Sequence, residues 1–334
     1  MRVVVVGAGA VGARAARQLV EPAGESASHT IRLVDPDAKR ASAVARSLGA
    51  AVSVARDVDD ALADGADVVV LSHPGPQRRA AEKSLEVGAH VVSTTDDPRS
   101  ATALLDLHTE ALERNRVVAV GAGFMPGLSD VLVRHAAADL TAVEEIHVAK
   151  AGTGGPACAR QHHWALAASM REWRDGAWVE RNSGSGRELC WFPDPVGGLD
   201  CYRAALPDPV LLHGAFPTAV RVTARVAATR RDRITAHLPM LRRPHAEGRI
   251  GAVRVEVRGW RAAVSDTRVL GAIDRPAVAA GCVAAVTALW LVQGRLGQAG
   301  ACGLAGLVTD PVPFLHELSV RGVRAAVFEG AQGV

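Results

Sequence analysis

Short apolar runs and stretches with helical spacing alternate along the first third of the chain. Residues 2–6 (RVVVV) form an unbroken β-branched run, which is typical of a strand buried on both faces of a parallel sheet. Similar runs follow at 31–35, 51–55, 66–72, 90–94 and 117–122. Helical periodicity separates them at 11–20, 37–48, 57–64, 75–87 and 100–115, with a polar loop, EPAGESASH, at 21–29. Six strands alternating with helices predict an α/β fold with a doubly wound parallel sheet and right-handed crossovers.

The pattern changes after Gly127. A helix at about 128–138 precedes the segment EEIHVAKAG, and residues 219–261 contain three segments with strand-like alternation: RVTARVA, RITAHL and AVRVEVRGW. These segments predict a second, α+β domain built on a mainly antiparallel sheet with one solvated, arginine-bearing face. The remainder is predicted to be helical. We therefore expect three parts: the parallel-sheet domain at 1–125, the α+β domain at 126–273, and a helical segment at 274–334 that packs back on the other two.

One uncharged stretch resembles a membrane span in length. Residues 276–292 (PAVAAGCVAAVTALWLV) hold no charge, but they fall short of the ~20 apolar residues that a bilayer requires, and most are Ala, Val or Gly. We predict a buried helix of a soluble protein, started by Asp274 and Pro276. The N-terminal apolar run could pass for a signal peptide, but it ends in a glycine motif with a better explanation, so no export is expected.

Composition narrows the function classes. The cysteines are odd in number and lack C-x-x-C or zinc-finger spacing, which indicates reduced thiols in a cytoplasmic protein and no metal site. Eleven arginines stand against three acidic residues between 221 and 261. They alternate with apolar residues along predicted strands and form no nucleic-acid-binding signature. A solvated face or a subunit interface therefore explains them better than nucleic acid.

The first predicted strand runs directly into the motif G-x-G-x-x-G, in the segment VVVVGAGAVG. Gly7 permits the tight turn, Gly9 lets the backbone approach a pyrophosphate, and Gly12 lets the helix pack on the strand. Ala10 and Val11 belong to the helix N-terminus, which attracts phosphate charge. Many methyltransferases also carry glycine-rich loops here, but the complete motif with six strands favours a nicotinamide cofactor. The first domain is thus predicted to be a Rossmann domain that binds NAD or NADP.

The acidic residue at the end of the second strand bears on the choice of cofactor. The carboxylate of Asp35 can accept hydrogen bonds from the adenosine ribose and would repel a 2′-phosphate, which favours NAD. Lys39 and Arg40 follow closely and could neutralise such a phosphate, so NADP stays open. Asp35 could instead cap the next helix, although Asp37 could fill that role equally well.

Three stretches together resemble the saccharopine dehydrogenase (saccharopine reductase) family, whose relatives include carboxynorspermidine dehydrogenase and homospermidine synthase. They are the glycine motif, VVVLSHPGPQRRAAEKSLEVGAHVVSTTDD, and VVAVGAGFMPGLSDVLV, which is similar to the family's G-x-G-x-x-P-G-L segment. The resemblance returns at 303–328. It departs at Ser93, where such relatives usually have an aspartate. It implies reduction of imines formed from an amino group and a carbonyl compound, or oxidation of the resulting secondary amines, and leaves the substrate open.

Ligands of open α/β sheets bind outside the carboxyl ends of the strands, so the loops at 72–76, 93–97 and 121–127 should line the nicotinamide side. His73 is a candidate general acid or nicotinamide contact, with an ordinary surface histidine as the alternative. Met125 and Phe124 are expected to pack rather than to catalyse, and Phe124 is also a candidate cofactor-binding residue. The remaining candidates in these loops are Ser72, Pro74, Thr94 and Gly123 for the cofactor, and Pro126 and Gly127 for the substrate.

The clearest candidate for a substrate carboxylate is the turn AGTGGPA, because backbone N–H groups in glycine-rich turns bind anions. A simple flexible turn is the alternative. The predicted contacts are Gly152, Thr153, Gly154, Gly155 and His162. The adjacent pair His162-His163 also resembles dihydrodipicolinate reductases, but no lysine follows it. Two adjacent residues of a helix do not share a face, so a metal site is not expected.

The combined prediction is an NAD(P)-dependent oxidoreductase that acts on an imine or secondary amine derived from an amino acid. The expected partners are a small anionic, amino-acid-like substrate and a second copy of the chain, joined through the second sheet or the 276–292 helix. Neither nucleic acid nor membrane is expected. The alternatives are a dihydrodipicolinate-reductase-like or other amino-acid dehydrogenase, and a non-catalytic NAD(P)-binding sensor or partner subunit.

Overall fold

The computed structural model describes residues 1–20, 29–240, 244–297 and 299–327, so the predicted polar loop lies outside it except for its last residue. The strands are β1 (Arg2–Val6), β2 (Thr30–Val34), β3 (Val52–Ala55), β4 (Val68–Leu71), β5 (His90–Ser93), β6 (Val117–Val120), β7 (Ala142–Ala151), β8 (Ser169–Arg174), β9 (Ala177–Asn182), β10 (Glu188–Trp191), β11 (Gly198–Arg203), β12 (Arg221–Ala227), β13 (Gly251–Arg261), β14 (Val264–Asp274), β15 (Gly300–Gly303) and β16 (Arg324–Val327).

The helices are α1 (Ala10–Val20), α2 (Ala38–Leu48), α3 (Val58–Leu62), α4 (Arg78–Glu86), α5 (Pro98–Leu105), α6 (His108–Glu113), α7 (Leu128–Ala136), α8 (Pro156–Ala165), α9 (Asp208–Ala215), α10 (Arg230–Thr235), α11 (Pro276–Val292), α12 (Leu304–Leu307) and α13 (Pro311–Val320). The chain divides into two compact units. The first unit comprises Met1–Gly127 and Ala277–Thr309, and the second comprises Leu128–Pro276 and Asp310–Val334.

The sheet of the first unit is parallel throughout, with strand order β15-β6-β5-β4-β1-β2-β3. The six predicted strands are all present, and the β-branched runs are buried because helices cover both faces of such a sheet. The order reverses at β1, which lies between β4 and β2. The confirmed doubly wound topology therefore places its switch point, where ligands of this fold bind, at the carboxyl end of β1.

A seventh strand of this sheet comes from far along the chain. β15 pairs in parallel with β6, with Ala301 opposite Val118. The sequence analysis predicted only helix after residue 274, and that prediction was wrong here. The segment GACG contains no β-branched or aromatic residue that would have indicated a strand. Gly300 has a φ of 114°, and an added Cβ would lie 2.6 Å from the His108 ring. The region after residue 274 thus contains two strands, β15 and β16, and is divided between the units.

Helix α11 is buried along nearly its whole length, as the sequence predicted for a buried helix. It crosses α1 closely: a Cβ added at Gly281 would lie 2.6 Å from Cβ of Arg14 and 2.8 Å from the backbone nitrogen of Ala15. Glycine at this position lets the two helix backbones approach. Within the described residues, no helix has both the length and the apolar character that crossing a membrane requires.

The second unit is built on a mixed, mainly antiparallel sheet of order β10-β11-β12-β7-β13-β14-β16, with β8 joined to β12 and β9 joined to β8. Only the β12–β7 pair is parallel among these strands. The prediction of a strand at RITAHL was wrong, because Thr229 and Asp232 form a capping box that starts α10 over the same residues. The local hydrogen bonds of the cap outweigh the alternating pattern.

The arginines of this sheet form ion pairs. Glu145 on β7 lies 3.2 Å from Arg258 on β13 and 3.9 Å from Arg221 on β12. Glu256 lies 2.6 Å from both Arg254 and Arg258. Arg221, Arg254 and Arg258 on these strands are thus paired with acidic side chains of the same sheet.

The aromatic residues of the second unit differ from one another in how deeply they are buried. Tyr202 is buried, but Trp191 is 63% exposed, so core packing explains only part of the cluster. Trp173 stacks on His213 with ring centroids 3.9 Å apart. None of the five cysteines, in either unit, is in a disulfide bond, in agreement with the reduced thiols that the sequence predicted.

Replacing Gly281 with valine should destabilise the first unit by roughly 2–4 kcal/mol, because the new side chain overlaps α1 backbone that cannot move independently. Gly214→Ala is the matched control: it also lies in a helix, and a Cβ there meets nothing within 4 Å. The control should be neutral or slightly stabilising, since alanine is the better helix former. Thermal unfolding compares the two, and equal midpoints would contradict the proposed close packing.

Acid should destabilise the first unit through His90. Burial, aided by the charge of Arg116, lowers the pKa of His90 from 6.5 to about 4, while its Nδ1 accepts a hydrogen bond from the Val117 N–H. Below pH 6.5 the unfolded chain takes up a proton that the folded chain refuses until about pH 4, so stability is lost across that window. Because the ring is partly exposed, we expect a loss of roughly 1–2 kcal/mol rather than the full conversion of the shift.

His90→Asn keeps an acceptor for Val117 but does not titrate. The fall in thermal midpoint between pH 7.5 and pH 4.5 should therefore be smaller in this variant than in the parent chain. Other histidines with lowered pKa, such as His147, contribute equally to both proteins and cancel in the difference. An unchanged pH dependence would show that His90 does not take part.

Candidate dinucleotide site

The loop between β1 and α1 is built on close backbone approaches. Gly7 has a φ of 104°, and an added Cβ would lie 2.8 Å from the backbone nitrogen of His73. A Cβ at Gly12 would overlap the carbonyl oxygen of Gly7 and the hydroxyl of Ser72. These two glycines are required by the protein itself, since any side chain would push α1 and the loop after β4 away from β1.

Gly9 is different, because a Cβ there meets nothing within 4 Å and its φ lies outside the left-handed region. The fold therefore places no demand on Gly9. Ala10 and Val11 open α1 directly behind it, and the N–H groups of a first helical turn have no partner within the helix. A bare backbone, open space and unpaired donors at the switch point together form the cradle that a pyrophosphate occupies in this fold.

Asp35 follows β2 and is buried, with a side chain only 4% exposed. It accepts hydrogen bonds from the N–H groups of Ala8 (2.7 Å) and Asp37 (2.8 Å), and forms an ion pair with Arg40 at 2.6 Å. Desolvation raises the pKa of Asp35, but the Arg40 and backbone hydrogen bonds together outweigh it and hold the pKa below its ordinary value. The helix α2 is capped by Asp37, so Asp35 is not the cap.

The loop after β4 lies against the glycine loop. The Ser72 hydroxyl donates to the Gly7 carbonyl at 2.9 Å. His73 is partly exposed, and its Nδ1 lies 3.1 Å from the carbonyl oxygen of Pro74. Because a carbonyl oxygen only accepts, Nδ1 donates in this contact. His73 is thus presented at the carboxyl edge of the sheet with its Nδ1 already hydrogen-bonded.

A buried glutamine ties this loop to the next one, and the sequence analysis missed it. Gln77 is 1% exposed, donates to the carbonyl of His73 at 2.8 Å, and accepts from the Ser93 hydroxyl at 2.6 Å. Ser93, the departure from the family pattern, thereby becomes part of the support for the loops. Thr94 is held by its N–H, which donates to the carbonyl of Leu71 at 3.0 Å. Gln77 occupies the N-cap position of α4, where a polar residue is ordinary, so the sequence carried no distinct signal for its role.

The segment after β6 forms a tight turn with a cis bond before Pro126. The N–H of Gly123 donates to the carbonyl of Pro126 at 3.0 Å, and Gly127 has a φ of 122°. A Cβ at Gly127 would overlap Gly123, so both glycines serve the turn itself. Phe124 and Met125 are buried, which fits the packing role expected for them.

The predicted substrate residues of the second unit lie where β7 ends and α8 begins. Gly152 and Thr153 are partly exposed, whereas Gly154 and Gly155 are buried. Gly155 occupies the N-cap position without a side-chain cap. Burial and then the charge of Lys150 lower the pKa of His162 to about 4, so the ring is neutral at physiological pH.

The two adjacent histidines face different surroundings. His163 Nε2 lies 2.8 Å from the carbonyl oxygen of Leu238, whereas the Nδ1 of His162 is buried without a hydrogen-bond partner. Across the described part of the chain, no cluster of three or more His, Cys, Asp or Glu side chains is arranged to hold a metal ion.

Comparison with known families agrees with this geometry. Residues 1–122 match the family model GFO_IDH_MocA, described as an oxidoreductase family with an NAD-binding Rossmann fold. The first unit is a Rossmann domain of the type found in NAD-binding oxidoreductases. No curated protein sequence matches the chain.

Two solved structures share the fold over almost the whole chain. Apo saccharopine dehydrogenase (L-Glu forming) from Saccharomyces cerevisiae aligns with a TM-score of 0.73 and 15% identity, over 98% of this chain and 99% of that chain. Amine dehydrogenase from Mycobacterium smegmatis aligns with a TM-score of 0.51 and 11% identity, over 92% of this chain and 96% of that chain. At these identities the comparison establishes the fold alone.

Replacing Gly9 with valine should raise the Kd for NAD(P) by at least about 100-fold and leave the thermal midpoint of the protein nearly unchanged. The side chain would enter the space of the pyrophosphate without touching the protein. Gly12→Ala is the matched comparison, because its smaller side chain collides with Gly7 and should lower stability itself. Calorimetric titration and thermal unfolding separate the two effects. Normal cofactor affinity in the Gly9 variant would remove the basis of this site.

Proposed function

We propose that the protein is an NAD(P)-dependent oxidoreductase of saccharopine dehydrogenase type that acts on an imine or secondary amine derived from an amino acid. The observation that carries the proposal is the coincidence of two likenesses. The G-F-M-P-G-L segment and the loops before it resemble that family in sequence, and the chain shares its fold over 98% of its length with the yeast saccharopine dehydrogenase. A dehydrogenase named for amines shows the same fold.

The first unit supplies what hydride transfer needs from the protein. The nicotinamide donates or accepts the hydride, and the protein holds it in place. The glycine loop and α1 would hold the pyrophosphate, and the Gln77–Ser93 hydrogen bond keeps the loops after β4 and β5 at a fixed separation. His73, whose Nδ1 donates to the Pro74 carbonyl, would use Nε2 to hold a proton of the substrate amine next to the nicotinamide.

The substrate we propose is anionic and amino-acid-like. Its carboxylate would meet the start of α8, where the N-terminal donors carry no side-chain cap and the helix dipole favours negative charge. The buried Lys150, two residues before Gly152, adds positive charge to the same end of β7. An iminium carbon is already electrophilic, so orientation of the reactants can supply most of the rate enhancement.

The sequence analysis named two surfaces at which a second copy of the chain could bind: the 276–292 helix and the sheet of the second unit. The 276–292 helix is buried within the chain, which removes the reason for a partner at that position. A homodimer joined through the sheet of the second unit stays a prediction, favoured by a face on which Arg and Glu alternate and which is therefore complementary in charge to a second copy of itself.

Oxidation of NAD(P)H in the presence of an amino acid and a 2-oxo acid or aldehyde tests the proposed reaction, with the Gly9→Val protein as the inactive control. His73→Ala should lower kcat about 10- to 100-fold with little change in cofactor Kd, because the proton contact is lost while the cradle is intact. His73→Gln, which keeps a hydrogen-bonding group, should recover part of the activity.

Cofactor binding without turnover for any amine and carbonyl pair would favour the alternative, a non-catalytic NAD(P)-binding sensor or partner subunit. Full activity of His73→Ala across the pH range would remove His73 from the site while leaving the oxidoreductase assignment standing.

A further inference from the structure

The carboxylate of Asp35 is fully used within the protein. A carboxylate offers about four lone-pair positions, two on each oxygen. Oδ1 accepts from the Asp37 N–H at 2.8 Å and from Arg40 Nη2 at 2.6 Å. Oδ2 accepts from the Ala8 N–H at 2.7 Å and from Arg40 Nε at 3.3 Å. All four positions are therefore filled before any ribose hydroxyl arrives.

Arg40 covers the carboxylate and faces outward. Its side chain is 48% exposed, whereas that of Asp35 is 4% exposed. The two-point contact through Nε and Nη2 fixes the guanidinium plane, which is the pairing that makes arginine more specific than lysine. Of the five N–H donors of a guanidinium, two go to Asp35. The other three include those of Nη1, which lies 3.9 Å from the exposed carboxylate of Asp37, beyond hydrogen-bond distance.

This pair lies directly beside the phosphate-binding loop. Asp35 accepts a hydrogen bond from the N–H of Ala8, the residue between Gly7 and Gly9. Only the side chain of Asp35 therefore separates the loop from the guanidinium of Arg40. The end of β2 is where the adenosine ribose lies in a dinucleotide-binding fold. At that place the structure presents a fixed cation rather than a free carboxylate.

We propose that the cofactor site selects a 2′-phosphorylated dinucleotide, with Arg40 binding the 2′-phosphate and Asp35 acting as a positioning residue that holds Arg40. The inference rests on the proposed dinucleotide-binding function and specifies its ligand. The negative charge of Asp35 does not repel the phosphate, because Arg40 neutralises it. Two N–H donors on a planar group suit a phosphate, whereas a ribose hydroxyl would have to displace Arg40 to reach the carboxylate.

The test compares the affinities of NADPH and NADH by calorimetric titration, without any substrate. The parent chain should bind NADPH at least about tenfold more tightly, as expected for charge-assisted hydrogen bonds. Arg40→Ala should weaken NADPH binding by about tenfold or more and leave NADH within about threefold. Lys39→Ala is the matched control, since it removes a neighbouring exposed positive charge from the same helix and should leave the NADPH to NADH ratio unchanged.

Asp35→Asn distinguishes the positioning role from the ribose-binding role. Asp35→Asn also disturbs the Ala8 hydrogen bond and can weaken both dinucleotides, so the ratio of the two affinities is compared. If Asp35 holds Arg40, the preference for NADPH over NADH falls. If Asp35 accepts from the ribose, that preference rises, and the proposal fails. An NADPH to NADH ratio near one in the parent chain, or an equal effect of Arg40→Ala and Lys39→Ala, would also overturn it.

Two fragments separate this inference from the proposed function. Adenosine 2′,5′-bisphosphate should bind more tightly than adenosine 5′-monophosphate in the parent chain and equally in Arg40→Ala. If neither full dinucleotide binds, the proposed function fails, and the fragment comparison still decides whether Arg40 binds a 2′-phosphate. If both dinucleotides bind but the fragments do not differ, the inference about Arg40 fails and the dinucleotide-binding function stands.

Discussion

The packing of the first unit depends on two glycines, one within helix α1 and one in the helix that crosses it. Gly12 lets the helix lie against the loop after β1, and Gly281 on α11 lets a second helix lie against its middle, at Arg14 and Ala15. A methyl group at either position meets backbone atoms, which cannot swing aside as a flexible side chain does. The position of α1, and therefore of the donors at its N-terminus, is set by these contacts, and the phosphate cradle is a consequence of packing.

Polar groups then fix the loops that packing leaves undetermined. Gln77 and Ser93 join the loops after β4 and β5, and Asp35 joins the end of β2 to the glycine loop. Each is buried and supplied with partners, so loss of one partner would leave an unsatisfied polar group whose desolvation is costly. The edge of the sheet is consequently held by hydrogen bonds that cross from strand to strand rather than by the loops themselves.

The sequence was sufficient for the parallel sheet, because buried strands in such a sheet are continuous β-branched runs that few other structures produce. It was also sufficient for the glycine loop, since the spacing of Gly7, Gly9 and Gly12 reflects local geometry. It failed where a tertiary or capping contact decides the outcome, as at β15, which has no strand-forming residue, and at α10, where Thr229 starts a helix. The role of Asp35 could not be predicted either, because only the folded structure shows that Arg40 donates to both carboxylate oxygens.

The late contribution of β15 has a consequence for how the chain is made. Val120 ends β6 about 180 residues before Gly303 completes the neighbouring strand. At synthesis rates of roughly 5–20 residues per second, the ribosome needs on the order of 10–40 s to deliver that strand. During this interval the N–H and C=O groups of β6 form an open sheet edge, the kind of surface on which nascent chains pair with one another. We therefore expect the yield of folded protein to depend on synthesis speed and chaperone access between these two points.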